Sequence, residues 1–96
     1  GRIQCVVVGC RRTAPKEKYP EGTRIICGKC WRLAPRYLRR RYSRLRRIMR
    51  KLHIELDDLD FGGTKPGSPE RRVLVLWYEN WDRIVGRATE ARMGIG

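Results

Sequence analysis

The sequence predicts a small zinc-stabilised α+β protein: a treble-clef-like zinc knuckle, made of a short β-hairpin and a helix, followed by a second, C-terminal helix. Three observations predict this fold: four cysteines in two close pairs, a long arginine-rich run without Gly or Pro, and a second amphipathic run with helix start and stop residues. A chain of 96 residues suits one small domain. Because such a domain buries a modest fraction of its surface, a bound metal would add useful stability.

The four cysteines carry the metal prediction. Cys5, Cys10, Cys27 and Cys30 give the spacing C-x4-C-x16-C-x2-C. Four thiolates match the tetrahedral coordination of Zn²⁺, and closely spaced pairs cost little loop entropy to close on one ion. Two disulfides or a redox-active Cys-x-x-Cys are the alternatives, but the sequence shows neither a secretory context nor a βαβ pattern. We therefore predict one structural Zn²⁺, with all four positions closed by cysteine.

Short β-prone runs accompany the cysteine pairs. Residues 6–8 lie within the first pair and residues 23–26 precede the second, while turn-forming residues occupy 14–15 and 19–22. The short loops that hold the two cysteine pairs, residues 5–10 and 27–30, are the first and second zinc knuckles. A strand, a turn and a strand around two such knuckles are typical of a zinc ribbon or a treble clef. Because a helix begins directly after the second knuckle, the treble clef is favoured.

Residues 35–52 predict this arginine-rich helix. Pro35 suits a first turn, and no Gly or Pro follows before Leu52. At 100° per residue a narrow apolar seam falls on one line. Its members are Leu38, Tyr42, Leu45, Met49 and Leu52. Cations fill most of the remaining circumference, and like charges at i,i+4 repel by roughly 0.2–0.5 kcal/mol per pair. Packing of the seam or counterions must offset that repulsion.

The segment 27–40 resembles a largely uncharacterised group of short zinc-binding proteins from bacteriophages and prophages. In that group a Cys-x-x-His or Cys-x-x-Cys pair runs into Trp-Arg, then a Pro, then an arginine-rich helix; here these are Cys27, Cys30, Trp31, Arg32 and Pro35. The closing segment 81–95 is similar to that group's usual ending. The resemblance implies a phage-related, intracellular setting and brings no established activity. This chain has Cys30 where the group more often has His, a replacement that zinc tolerates.

The middle of the chain, residues 53–67, predicts an acidic, Gly-rich connection between residues 1–52 and residues 68–96. Asp57, Asp58 and Asp60 either face solvent or fold back on the arginine helix and weaken its attraction for polyanions. Leu and Phe side chains of this segment are expected to pack onto the core.

Residues 68–96 predict the C-terminal helix. Ser68 is the expected N-cap, Pro69 the first helical residue and Gly94 the end, with Gly86 a candidate break. An apolar stripe recurs at helical spacing. Its members are Val73, Trp77, Trp81, Ile84, Ala88 and Ala91. We expect this stripe to cover the seam of the first helix; a partner-binding groove or a homodimer face through Trp77 and Trp81 is the alternative. Residues 73–78, taken alone, fit a strand equally well.

Charge identifies the expected partner. The chain has 23 Lys and Arg against 10 Asp and Glu, a formal net charge of +13, and residues 1–52 alone carry 17 cations against 2 anions. Such a surface attracts polyanions. We expect a nucleic-acid-binding protein that contacts phosphates, with DNA slightly favoured over RNA. The expected contact residues are Arg11, Arg12, Arg36, Arg40, Arg44, Arg47, Arg50 and Lys51. Cations beside the cysteines, such as Arg11, Arg12, Lys29 and Arg32, either offset the charge of the metal site or are simply solvated.

Other functions are less favoured. A phage-type adaptor, with the zinc knuckle as the scaffold for binding a host protein, is the alternative. An enzyme is not expected, because zinc-dependent nucleases built on treble clefs need histidines and this chain has only His53. The sequence contains neither a membrane-spanning run nor a pattern resembling a signal peptide. The cytoplasm of a bacterial host is the location that the resemblance to phage and prophage proteins implies.

Overall fold

The computed structural model describes residues 1–19, 23–54 and 65–94. Two short strands, β1 (Arg2–Gln4) and β2 (Thr13–Pro15), pair antiparallel, with Ile3 opposite Ala14. One 3₁₀ turn (Lys16–Lys18) follows, and then come three helices: α1 (Gly28–Leu33), α2 (Arg36–Lys51) and α3 (Pro69–Met93). The prediction of a small α+β protein with a hairpin and helices is confirmed, whereas the treble-clef assignment stays a prediction.

The strands lie at different places from those predicted. Residues 6–8 form the turn between Cys5 and Cys10 instead of a strand, and residues 14–15 belong to β2 instead of a turn. Residues 23–26 contribute an isolated parallel bridge from Ile25 to Cys5. The physical reason is the cysteine pair itself, because its two side chains must converge and the chain between them therefore has to turn. Gly9 adopts a φ of +87° there, a backbone conformation that Gly reaches without strain.

Helix α2 begins one residue after Pro35 and ends at Lys51, close to the predicted bounds. Of its predicted seam, Leu38, Leu45 and Met49 are buried, whereas Leu52 lies beyond the last turn and is 37 % exposed.

Helix α3 begins and ends at the predicted residues. The Ser68 hydroxyl accepts a hydrogen bond from the backbone N–H of Arg71 at 3.2 Å, Pro69 is the first helical residue, and Gly94 ends the helix at a φ of +75°. Residues 73–78 are helical, so the strand alternative is wrong. Gly86 does not break the helix, because one exposed Gly costs only about 1 kcal/mol relative to Ala in a helix of this length.

The core lies between α2 and α3, which run antiparallel. Leu45 and Met49 pack with Leu74 and Trp77, while Leu38 and Ala34 pack with Ile84 nearer the start of α2. The stripe of α3 therefore covers the seam of α2 with Trp77 and Ile84, whereas its predicted members Ala88 and Ala91 differ: Ala88 packs on the cysteine cluster and Ala91 is exposed.

The tryptophans of this stripe are buried within the chain. Trp77 and Trp81 are only 9 % and 6 % exposed, and their rings stack with centroids 6.0 Å apart. The homodimer through Trp77 and Trp81 stays a prediction.

Asn80 is a buried polar residue that the sequence pattern did not single out. Its side-chain N–H donates to the backbone oxygen of Leu38 at 3.2 Å and links α3 to α2.

Three sets of predictions fall outside the described ranges: the placement of Asp57, Asp58 and Asp60, the packing of the Leu and Phe side chains of the same segment, and most of the turn at 19–22. Among the described helices, including the 25-residue α3, none combines the length and apolar character that a bilayer span requires.

Candidate metal centre

The four cysteines come from three places in the fold. Cys5 directly follows β1, and Cys10 closes the tight turn before β2. Cys27 is the N-cap of α1 and Cys30 lies in the first turn of that helix. The backbone hydrogen bond from Cys5 N–H to the Arg12 oxygen, at 2.8 Å, extends the hairpin to the first ligand. The bond from Val6 N–H to the Ile25 oxygen, also 2.8 Å, brings the second pair beside the first.

The thiol geometry fits a tetrahedral metal site. All four Sγ atoms lie within 4.8 Å of one another, and Cys10 Sγ lies 3.7 Å from Cys27 Sγ. Zn–S bonds of about 2.3 Å place the corners of a tetrahedron about 3.8 Å apart. The cysteines are free thiols, not disulfides. The cluster is therefore compatible with structural zinc, and Cys5, Cys10, Cys27 and Cys30 are the residues that would hold it.

The surroundings of the sulfurs support the same assignment. Backbone N–H groups point at them: Cys27 N–H donates to Cys5 Sγ at 3.3 Å, and Cys30 N–H donates to Cys27 Sγ at 3.4 Å. Val7 and Ala88 pack against the cluster and are themselves buried. N–H donors of this kind stabilise thiolate charge, and an apolar cover excludes water.

Two of the thiols have opposite pKa shifts. Burial raises the pKa of Cys27, but hydrogen bonds from the Cys30 backbone N–H and from the Cys30, Cys10 and Cys5 thiols outweigh it, and the pKa falls from 9.0 to about 7. Burial raises the pKa of Cys30, and its hydrogen bonds to the neighbouring thiols raise it further. These shifts favour negative charge on Cys27 and a proton on Cys30, and a metal ion that binds four thiolates must displace that proton.

A cation beside the sulfurs comes from an unexpected place. Within the described ranges, the guanidinium within hydrogen-bond reach of a ligand sulfur belongs to Arg92, whose Nη1 lies 4.0 Å from Cys30 Sγ. Arg92 is exposed, as are the cations adjacent in sequence, Arg11, Arg12, Lys29 and Arg32; what distinguishes Arg92 is its contact with Cys30 Sγ. Sequence reasoning missed Arg92 because it lies 62 positions from Cys30, and no local pattern links the two.

The cations predicted to contact nucleic acid on α2 share one face. At 100° per residue they lie within about 60° either side of the direction opposite Leu38, and every one is exposed. They are Arg36, Arg40, Arg44, Arg47, Arg50 and Lys51. Among the residues that the structure describes, none of these six forms an ion pair with a carboxylate.

The other cations differ in setting. Arg39 and Arg46 are half-buried on the flanks of α2, and Arg39 donates to the backbone oxygen of Ala34 at 3.2 Å. Arg24, Arg87 and the N-terminal amine each pair with a carboxylate. The outward face of α2 is thus a continuous positive surface without intramolecular counter-charge in the described ranges.

Comparison of the chain with protein-family models, with curated proteins and with solved structures finds no match. The function has to be argued from the chain's own residues.

Proposed function

We propose that this protein is a nucleic-acid-binding module in which one structural Zn²⁺, held by the four cysteines, fixes the start of α2, and the outward face of α2 contacts phosphates. The observation that carries the proposal is the set of six exposed cations on that face, unpaired within the described ranges.

The unpaired charges favour an external polyanion. Arg36 and Arg40, and Arg40 and Arg44, are like-charged i,i+4 pairs that weaken an isolated helix by roughly 0.2–0.5 kcal/mol each. Phosphates placed along the face supply the missing counter-charge and release condensed counterions when the arginines bind them. Arginine also forms paired hydrogen bonds with phosphate oxygens.

The metal centre supports this face through a short rigid path. Cys30 lies in α1, and the chain passes through Ala34 and Pro35 directly into α2. Ala34 is buried against Leu38 and Ile84, so the link between the two helices is packed on α3. A metal bound at the cysteines therefore restrains the first turn of α2 and presents a self-repelling helix in one orientation.

The dimensions suit a nucleic-acid groove. The 16 residues of α2 span about 24 Å at 1.5 Å per residue. The major groove of B-DNA, about 12 Å wide, admits a helix, which favours DNA slightly over RNA. The resemblance of segment 27–40 to phage and prophage proteins supports a phage-related setting for the proposal.

The test is fluorescence-anisotropy binding of the zinc-loaded protein to duplex DNA, single-stranded DNA and structured RNA over a series of salt concentrations. On duplex DNA, log affinity is expected to fall linearly with log salt, by about 0.9 for each phosphate contacted. Binding that does not respond to salt would contradict the proposal and favour the adaptor function, in which the metal centre is the scaffold for a protein partner.

A matched pair of variants locates the contact. Arg40→Ala with Arg44→Ala is expected to reduce the duplex salt slope by about 1.8, since each lost phosphate contact removes about 0.9. Arg72→Ala with Arg83→Ala removes the same charge from exposed positions on α3 and is expected to leave the slope nearly unchanged. Equal losses from the two pairs would mean that net charge alone drives binding.

A further inference from the structure

A groove of about 340 Å³ lies beside the metal centre on the side of the hairpin. Its lining includes Arg12, Thr13 and Tyr19 from the hairpin and the following turn, and Ile25 and Ile26 from the approach to α1. Because Cys27 also lines it, the metal centre fixes one part of the groove. The cations of α2 do not line it, so it is a surface separate from the face already described.

The lining chemistry matches a nucleotide. Tyr19 presents a partly exposed aromatic ring, and the two isoleucines are half-buried apolar residues. Arg12 is an exposed guanidinium. An unpaired base has a flat π face that stacks on aromatic side chains or on arginine, and its phosphate binds a guanidinium. A cleft of a few hundred Å³ with apolar walls and a small number of polar groups is the usual form of a small-ligand site.

The charge around the groove also suits a phosphate. Arg11 and Lys18 are exposed and adjoin lining residues in the chain, and Lys16, also exposed, lies two positions after the lining residue Ala14. Within the described part of this stretch, Glu17 is an exposed acidic residue between the two lysines. Among the residues that the structure describes, those that line the groove carry no carboxylate.

We propose that this groove binds one unpaired nucleotide of a single-stranded DNA or RNA segment, with the base against Tyr19 and the phosphate on Arg12. The proposal rests on the nucleic-acid-binding function and adds strand selectivity to it. The cations of α2 attract the phosphates of any strand, whereas the groove accepts only a base that is free of its partner. A paired base inside a duplex cannot reach it.

The test compares matched oligonucleotides of one length, as single-stranded DNA, single-stranded RNA and duplex DNA, by fluorescence anisotropy with the zinc-loaded protein. Tyr19→Ala is expected to weaken binding of single strands about 5- to 150-fold, the range that loss of one base–aromatic stack produces. Its effect on duplex binding is expected to stay within about twofold. Tyr19→Phe keeps the ring and is expected to bind single strands like the unaltered protein. The DNA and RNA arms show which kind of strand the groove accepts.

Tyr37→Ala is the matched control. Tyr37 is also an exposed tyrosine, at 61 %, but it lies on α2 and does not line the groove. The Tyr37→Ala substitution is expected to leave the affinity for single strands nearly unchanged. A loss from Tyr37→Ala as large as that from Tyr19→Ala would overturn the assignment of the stack to the groove.

Other outcomes separate the groove from the α2 face. If Tyr19→Ala binds single strands normally while Arg40→Ala with Arg44→Ala weakens all binding, the groove proposal fails and the proposed function stands. If the unaltered protein binds no strand at all, both fail. If Tyr19→Ala fails to bind zinc, a second comparison tests the groove with Arg12→Gln and its control Arg11→Gln. Arg12→Gln is expected to cause the larger loss of single-strand affinity. Equal losses from the two variants would overturn the groove proposal.

Discussion

The guanidinium of Arg92 lies 4.0 Å from Cys30 Sγ and joins the last turn of α3 to the first turn of α1 across 62 positions of sequence. The same guanidinium also lies over the first knuckle, because a side chain at Gly9 would begin 3.9 Å from Arg92 Nε. One turn earlier on α3, Ala88 packs against the cysteine cluster. The C-terminal end of α3 therefore covers both halves of the candidate metal centre.

Replacement of Arg92 is expected to weaken metal binding. Four thiolates and one Zn²⁺ carry a net charge of −2, and Arg92 is the guanidinium that the described structure places nearest to them. Arg92→Gln removes that charge while keeping a polar side chain of similar reach. We expect zinc affinity to fall about tenfold, the lower end of the range for residues that contact metal ligands. Competition with a chromophoric chelator measures it.

Two further variants show whether the charge of Arg92 and its contact with Cys30 cause the loss of zinc affinity. Arg92→Lys keeps the charge and is expected to recover most of the affinity. Arg83→Gln removes the same charge from an exposed position of α3 that has no contact with the cysteines, and is expected to change the affinity little. If Arg83→Gln and Arg92→Gln weaken binding equally, the effect comes from net charge and not from the contact with Cys30.

Removal of one ligand is expected to destabilise the N-terminal part of the chain more than the helix pair. Cys30→Ser leaves the metal three sulfur ligands, and metal binding is coupled to folding. A structural zinc contributes several kcal/mol to the free energy of unfolding. Because a change of 1 kcal/mol shifts Tm by about 4–8 °C in a domain of this size, we expect Tm to fall by more than about 10 °C. Thermal unfolding followed by circular dichroism measures the change.

Amide hydrogen exchange locates that loss. β1, β2 and α1 are expected to exchange faster in Cys30→Ser, whereas the cluster of Leu45, Met49, Leu74 and Trp77 does not include the cysteines and is expected to change less. Lys29→Ser, at a neighbouring exposed position, is the control and is expected to behave like the unaltered protein. An equal increase in amide exchange rate across the whole chain would contradict the expectation that the N-terminal part is destabilised more than the helix pair.

Proton release on zinc binding is expected to depend on pH. The pKa of Cys27 is lowered from 9.0 to about 7, so its thiolate contributes stability that is fully present above pH 9 and is lost as the pH falls through about 7. Cys30, with its raised pKa, keeps its proton through this range until the metal displaces it. At pH 6 Cys27 must release a proton, whereas at pH 8 it has already done so. Zinc binding is thus expected to release up to about one proton more at pH 6 than at pH 8.

Calorimetric titration in buffers of different ionisation enthalpy measures that difference. Cys27→Ser removes the titrating thiol and is the control, with a smaller pH dependence expected if it still binds zinc. Equal proton release at pH 6 and pH 8 in the unaltered protein would show that Cys27 has an ordinary pKa in the metal-free state.

Sequence patterns predicted the helices and the clustering of the four cysteines because both are specified locally. Ser68, Pro69 and Gly94 act through their own backbone positions, and the apolar spacing of α2 and α3 reflects one repeated geometry. The cysteine pairs are equally local, since four thiols in two short loops have few ways to converge.

The features that sequence reasoning missed depend on tertiary contacts. The strands flank the first cysteine pair because the convergence of Cys5 and Cys10 overrides the β-propensity of the valines between them. Arg92 and Asn80 act on Cys30 and Leu38, which lie 62 and 42 positions away in the sequence. No periodicity or motif encodes such pairs, so only the fold identifies them.

The two ends of the predicted α2 seam are expected to differ sharply in their contribution to stability. Leu38 is 1 % exposed and packs with Ala34 and Ile84, whereas Leu52 is 37 % exposed. Leu38→Ala is expected to lower the free energy of unfolding by about 2–5 kcal/mol, because it leaves a cavity between α2 and α3. Leu52→Ala makes the same chemical change and is expected to cost less than about 1 kcal/mol. Urea unfolding of the zinc-loaded proteins measures both; equal losses would mean that α2 packs on α3 over its whole predicted seam.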